Sequence, residues 1–321
     1  MHSTISAKSK ASIARRPGLR FASLLWHNMR SYWPLYIMAV PGIIFIIIFK
    51  YIPLAGSFIA FQDYSVFKGF LDSPWVGFKH FKTLLEYQDF KRVFTNTMIL
   101  GFLKTALVFP VPILLSLMIN EVRNAMMKKG IQTALYIPHF LSWVIVAGIA
   151  FDIFALSGLF NVVIGWFGYD PVLVMQESQF FRAVYVFTGL WKDAGWGTVV
   201  YMAAISSIDP QLYESAMMDG ASRMKQMRYV TLPLLLPTIL VLFLLEIGSF
   251  MELGFDHVYS LLTPMTYSSG DILDTYVFRT GIQQAQYSFA TAVGLFQSVI
   301  GFILVYTFNR LSRKVSDGGL W

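Results

Sequence analysis

Long apolar runs separated by shorter polar stretches make up most of the chain. A helix crossing the roughly 30 Å hydrocarbon layer of a bilayer needs about 20 mostly apolar residues, because each advances about 1.5 Å. Six segments meet that requirement: 33–53, 94–118, 133–154, 183–205, 234–255 and 288–309. The pattern predicts an all-α polytopic membrane protein with six transmembrane helices. Between the first two, segment 54–93 is amphipathic and aromatic, with Trp75, Phe78, Phe81 and Phe90. It reads as short helices lying at the outer interface. Prolines fall in or beside the spans at Pro34, Pro41, Pro53, Pro110, Pro112, Pro138 and Pro237. Each removes a backbone donor. Kinked helices around a pathway and ordinary membrane tolerance of proline both account for them.

Composition supports a membrane class. The 321 residues are 56% hydrophobic and 13% charged, where a soluble domain carries about 25% charged residues; mean hydropathy is +0.57. Disorder is excluded, since it needs low hydrophobicity and high charge. With no cysteine, disulfides, thiolate metal sites and thiol nucleophiles are absent, and the redox compartment goes unreported. The five histidines are scattered, and neither a GxxxxGK[ST] phosphate loop nor a Gly-x-Ser-x-Gly elbow occurs. No catalytic residue, metal site or cofactor is expected in the chain itself.

Charge orients it. Of the net +7, residues 1–33 contribute +6 through Lys8, Lys10, Arg15, Arg16, Arg20 and Arg30. Such an arm before an apolar span marks a cytoplasmic end and contact with the lipid surface; it is not read as binding nucleic acid, nor as a cleaved signal peptide. With the amino terminus inside, segments 1–32, 119–132, 206–233 and 310–321 hold 15 Lys and Arg, against 7 in 54–93, 155–182 and 256–287. Both termini are therefore expected in the cytoplasm. The expected organisation is a basic segment 1–32, a transmembrane domain 33–315 and a tail 316–321.

The cytoplasmic loop 209–233 is unusually structured. Asp209-Pro210 is a strong helix start, with a capping carboxylate followed by proline in the first turn. A helix from Pro210 to about Asp219 would place Leu212, Ala216 and Met217 near one face and Glu214 on another. Gly220 permits a positive φ and ends it. A second short helix, from about Ser222 to Arg228, would return the chain to the bilayer, and Pro233 would begin the next span. A knob for a groove on a cytoplasmic partner and an amphipathic helix resting on the membrane both fit this pattern.

The loop resembles the EAA loop of ATP-binding-cassette importer permeases, E-A-A-x3-G-x9-I-x-L-P. Glu214, Ala216, Gly220, Leu232 and Pro233 match at the family spacing, and Ser215 and Val230 depart conservatively. Ala134–Trp143, Gly189–Trp196, Asp274–Arg279 and Gln286–Gly294 are similar to LplB-like carbohydrate permeases, the MalF-type halves of oligosaccharide importers, which include first permease subunits of Gram-negative alginate importers. The likeness spans about residues 33–315, but the large extracytoplasmic insertion of maltose permeases is missing.

This resemblance implies the type I importer permease fold in a bacterial cytoplasmic (inner) membrane. It also implies a second homologous permease, two ATPase subunits carrying ATP and Mg, an extracytoplasmic solute-binding protein and a carbohydrate substrate. Glu214 would then contact the ATPase while Ser215, Ala216, Gly220, Leu232 and Pro233 shape or carry the docking loop; Asp219 adds a flanking charge.

Polar groups inside spans are costly in lipid and mark candidate pathway positions. These are Trp143, Trp191, Lys192, Asp193, Trp196, Glu246, Ser249 and Glu252, with Lys104 and His139 nearby. The tryptophans could stack on sugars or anchor and pack helices; Lys192 and Asp193 could serve the path or only pair with other helices; Lys104 could snorkel to the surface. An ion-coupled secondary transporter using Glu246, Glu252 and Asp193 as relays is the alternative function, and a membrane scaffold a third.

Overall fold

The computed structural model describes residues 32–315; expectations for the basic segment and the tail 316–321 lie outside the described residues. Every regular element among the described residues is helical, apart from an isolated antiparallel bridge between Gln62 and Trp75. The chain divides into two compact units between Phe58 and Ile59.

In the first unit the helix beginning at Trp33 buries none of its residues through Ala55. With a mean hydropathy of 2.2, such a surface is suited to lipid or to another protein, not to water.

Four helices are long and apolar enough to cross a membrane: Trp33–Phe61, Gln88–Asn120, Arg223–Gly248 and Tyr287–Leu311. They correspond to the expected first, second, fifth and sixth spans. The fourth is a 29-residue helix, Ser178–Ser206, long enough to cross but made polar at its centre by Lys192 and Asp193. The third differs from expectation. Helix Ala125–Tyr136 passes into a tight turn, Ile137–Phe140, and meets helix Trp143–Ile153 at an angle of 101°. Pro138 is the second residue of the tight turn, Leu141 is extended, and the Ser142 hydroxyl accepts from the Ile145 N–H to start a new helix. An apolar run of adequate length thus hides a right-angled break.

Three prolines share one solution to the missing donor. A proline ring collides with the carbonyl four residues earlier in an α-helix. For Pro53, Pro110 and Pro233 that carbonyl belongs to Phe49, Ala106 and Tyr229, each inside a π-helical turn: Ile47–Tyr51, Lys104–Val108 and Met227–Thr231. The wider turn makes room for the ring, and the helix continues through it. Pro41 and Pro237 are carried inside α-helix without such a turn.

In the second unit the fourth-span helix is the hub. Phe181, Val184 and Tyr185 pack with Leu100, Val258, Leu261 and Ile272 toward its first turns, and Tyr201 and Ile205 pack with Leu117 and Leu235 toward its last. A further cluster joins Leu84, Phe90 and Val93 to Leu273, Phe289 and Val293. Short helices Gly69–Asp72 and Lys79–Glu86 occupy the segment expected to hold them. In segment 256–287, Asp271 is wholly buried and takes two bonds from the Arg279 guanidinium, at 3.1 and 2.6 Å, and one from Thr275. The Asp271 hydrogen bonds raise the Arg279 pKa above its ordinary value against the opposing effect of burial.

Gly195 lets the fourth span approach helix Ala125–Tyr136 at backbone distance: a Cβ there would stand 2.0 Å from the Leu135 carbonyl oxygen. Backbone cannot yield as a side-chain tip can. Gly195→Ala is expected to lower the unfolding temperature of the detergent-solubilised protein by an amount equivalent to about 1–3 kcal/mol. Gly294→Ala, which meets nothing within 4 Å, is expected to be neutral or mildly stabilising.

Candidate functional site

The loop before the fifth span forms the shape the sequence suggests, with two corrections. Asp209 caps helix Pro210–Met218 by accepting from the Gln211 N–H at 2.9 Å. At the other end the Gly220 N–H bonds the Met217 carbonyl at 3.0 Å and the Ala221 N–H bonds the Ala216 carbonyl at 2.9 Å. That pairing is a Schellman motif, which requires a left-handed residue after the cap, and Gly220 has φ +74°. Space around Gly220 is open, so backbone conformation alone demands the glycine there.

The first correction concerns the grouping of Leu212, Ala216 and Met217. Leu212 and Met217 are exposed, whereas Tyr213 and Ala216 are half-buried. The Tyr213 hydroxyl lies 3.0 Å from the Thr231 hydroxyl, a polar anchor on the side of the helix that is partly covered. Glu214, Ser215, Met218 and Asp219 are exposed, and the helix buries no residue.

The second correction concerns the return to the bilayer. The short second helix is not separate from the fifth span. Residues Arg223–Gly248 form one 26-residue helix, with the π turn Met227–Thr231 and Pro233 inside it. Leu232 and Pro233 are therefore parts of a rod that starts in the loop. Its base is tied to the C-terminal end of the second span's helix by Arg223 to Glu121 at 3.1 Å.

The rod ends at Gly248, so Ser249 is its cap and Glu252 lies beyond it in a turn. Glu252 is thus not two turns further along the fifth span as the sequence suggests, and it is exposed. Glu246 sits one turn before Ser249 and forms an ion pair with Lys104 at 3.1 Å. Lys104 does not snorkel; it sits near the middle of the second span's helix, at the start of a π turn. Lys104, Asp193, Glu246 and Ser249 together line an open-sided cavity of about 420 Å³, with Tyr201 and Phe109.

The remaining candidates divide around the fourth span. Lys192 is buried, donates to the His139 carbonyl at 2.6 Å and lies 5.1 Å from the centre of the Trp143 ring. Asp193 pairs with His139 Nδ1 at 3.0 Å, and the His139 ring stacks on Trp196 at 4.6 Å. Trp143 stacks on His257 at 3.6 Å, and His257 bonds Thr188 at 2.8 Å. Trp191 lies elsewhere, lining a smaller apolar cavity with Phe187, Val146 and Ile153. The structure thus brings Asp193, Glu246 and Ser249 together, engages Trp143 and Trp196 with histidine rings, and leaves Trp191 and Glu252 apart.

Sequence reasoning missed Tyr213, the Arg223–Glu121 tie and the pairing of Lys104 with Glu246. The last had a signal. Opposite charges at mid-span on different helices are each costly alone, and pairing them removes that cost.

A multi-span helical protein that gathers acidic and basic side chains around an open cavity, and joins that region by one continuous helix to an exposed loop, is of the class of membrane transport subunits. Residues 91–317 match the family of binding-protein-dependent transport system inner membrane components, and the chain belongs to that family. It is 47% identical over 288 residues to the polygalacturonan/rhamnogalacturonan transport system permease protein YteP of Bacillus subtilis (strain 168), covering 89% of this chain and 90% of that protein. Identity to protein LplB of the same organism is 43% over 293 residues, covering 91% and 92%.

Among solved structures, a bacterial ABC transporter involved in the import of the acidic polysaccharide alginate contains a chain that matches with a TM-score of 0.84 and 41% identity. The match covers 91% of this chain and 99% of that one. A bacterial alginate ABC transporter in complex with an alginate pentasaccharide-bound periplasmic protein matches with a TM-score of 0.85 and 40% identity, over 92% and 99%. Family membership makes this a multi-pass inner-membrane transport component and favours a binding-protein-dependent permease over the ion-coupled alternative.

Tyr213→Phe removes the loop helix's bond to Thr231, worth about 0.5–1.5 kcal/mol. It is expected to raise the rate of tryptic cleavage after Arg223 or Lys225 by roughly 2- to 10-fold in the native solubilised protein, read by mass spectrometry. Gly220→Ala, which forces a Cβ into left-handed geometry at a cost of about 1–2 kcal/mol, is expected to raise it at least as much.

Proposed function

We propose that this chain is one permease subunit of an ATP-driven, binding-protein-dependent importer of acidic oligosaccharides. It forms half of a pathway completed by a second permease. Two ATPase subunits bind and hydrolyse ATP with Mg on the cytoplasmic side, where both chain termini and the loop 209–233 also lie. An extracytoplasmic solute-binding protein supplies the sugar from the other side.

The observation that carries this reading is the loop. Its first helix is exposed on nearly every side, presents Leu212, Met217 and Met218 to solvent at 45%, 56% and 89% of their full area, and sets Glu214 and Asp219 beside them. Apolar side chains held out on a capped, hydrogen-bonded frame suit a docking knob better than a helix sunk against its own fold. The frame leads directly into the helix that ends at the cavity, so a displacement of the knob reaches Glu246 about 35 Å away. The acidic substrate class is supported by what two relatives carry, polygalacturonan and rhamnogalacturonan for one and alginate for the other.

The mechanism follows from a two-state bundle. ATP closure of the ATPase pair would pull the docked loop, and the rod would tilt against the second and fourth spans, opening the cavity to the outer side. Ligand binding shifts such an equilibrium only by its differential affinity for the two states. The loop's grip on the ATPase is therefore expected to differ between them.

Glu214→Lys reverses charge on an exposed position. In vesicles holding the complete transporter, it is expected to leave insertion and thermal stability unchanged while lowering sugar-stimulated ATP hydrolysis and uptake by about 10-fold or more, the scale of a lost charged contact. Normal uptake by this variant would contradict the docking role.

A further inference from the structure

Two ion pairs inside the second unit contrast in construction. Asp271 is wholly buried, and three hydrogen bonds from Arg279 and Thr275 hold it. Such a pair is structural. Lys104 and Glu246 instead meet through a single contact at 3.1 Å, with side chains 27% and 21% exposed. Among the described residues neither charged end has a second ionic partner, and both line the cavity of about 420 Å³. That volume lies within the roughly 300–1,000 Å³ of small-molecule sites.

We propose that Lys104 is the residue at which this subunit takes a carboxylate of an acidic oligosaccharide, with Glu246 as the resident counter-ion that a uronate group displaces. The inference rests on the acidic-oligosaccharide reading above and names the site within it. Lys192, the neighbouring cation, is not available: it is buried, committed to the His139 carbonyl and placed over Trp143. Asp193 also lines the cavity, and its charge is met by His139 at 3.0 Å and Lys192 at 4.0 Å. Lys104 is thus the cavity cation whose ionic partner, among the described residues, is a carboxylate that can swing aside.

The chemistry explains why the pair exists at all. A lone lysine at mid-span is expensive in hydrocarbon surroundings, so an empty pathway needs a counter-ion for it. A glutamate provides one of the same type as the guest, so exchange keeps Lys104 paired while the displaced Glu246 turns toward the open side of the cavity. A neutral sugar offers Lys104 hydroxyl acceptors but no negative charge in place of Glu246. The pair therefore selects for uronates while keeping the unloaded cavity neutral. Glu246 stands near the end of the rod from the loop, so its release from Lys104 also frees that end of the rod from the second span.

The test uses the complete transporter in lipid vesicles, with ATP inside and a uronate oligosaccharide supplied on its binding protein. Lys104→Met is expected to reduce uptake at least about 10-fold, as loss of a charge-assisted hydrogen bond implies, and Lys104→Arg to retain most of it. Glu246→Gln, which removes the carboxylate that competes with the guest for Lys104, is expected to lower the half-saturating uronate concentration for uptake, the opposite direction to Lys104→Met. The double variant Lys104→Met/Glu246→Gln carries no unpaired charge and is expected to show the same loss as Lys104→Met, with an unfolding temperature close to the parent's. Uptake by the double variant equal to the parent's would overturn the proposal, as would Glu246→Gln losing as much as Lys104→Met, which would make the pair a structural clasp. A parent transporter that moves neutral oligosaccharides and refuses the uronate would instead overturn the acidic-substrate reading itself.

Discussion

Charge and backbone polarity inside hydrocarbon must be satisfied within the protein, because no water is present to do so. That constraint explains the local structure at the points that matter most. It makes Lys104 and Glu246 find one another across two spans, turns Lys192 onto a carbonyl and an aromatic ring, and gives Asp193 a histidine partner. It also governs the prolines. By widening into π turns ahead of Pro53, Pro110 and Pro233, the helices keep their continuity where a ring would otherwise break it.

Continuity has a functional consequence. Because the π turn at Met227–Thr231 absorbs Pro233, the loop's second arm and the fifth span are a single element of 26 residues. Its lower end is tied by Arg223 to Glu121, and its upper end by Glu246 to Lys104. The first tie reaches the C-terminal end of the second span's helix and the other its middle. The fifth helix is thus held against the second at base and at mid-height, with the loop helix Pro210–Met218 outside the lower tie and the cavity beside the upper one. A protein built so can pass a push on the lower end of the rod to the cavity along one continuous helix.

Much of this architecture was legible in the sequence, and the failures have physical causes. Asp209, Pro210 and Gly220 announced the loop helix and its end, because capping and left-handed geometry depend on residue type alone. Apolar spacing grouped Leu212, Ala216 and Met217 without saying which side of the helix is covered; the bond between the Tyr213 and Thr231 hydroxyls, 18 positions apart, is what marks that side. The third span's break was invisible because a window of apolar residues reports length in hydrocarbon and not direction; Pro138 and Ser142 were its only local signs. Lys192 and Asp193 stood out as charges in an apolar run, but their partner His139 lies more than 50 positions away, and no local pattern could supply it. Glu252 was assigned to the fifth span on hydropathy, yet the helix stops at Gly248, and Gly254 turns the chain with φ +83°.

The central claim is that loop and cavity move as one rigid body along the fifth helix. The chain has no cysteine, so spin labels at Met224→Cys and Val241→Cys, both exposed positions, report on that helix alone. Their separation, about 25 Å for roughly 17 helical residues, can be measured by pulsed electron spin resonance in the assembled transporter without nucleotide and with ATP trapped. The account predicts one narrow distance distribution that is the same in both states. A distribution that broadens or shifts by several ångströms with ATP would show the loop flexing at the Met227–Thr231 turn independently of the cavity, and would contradict it.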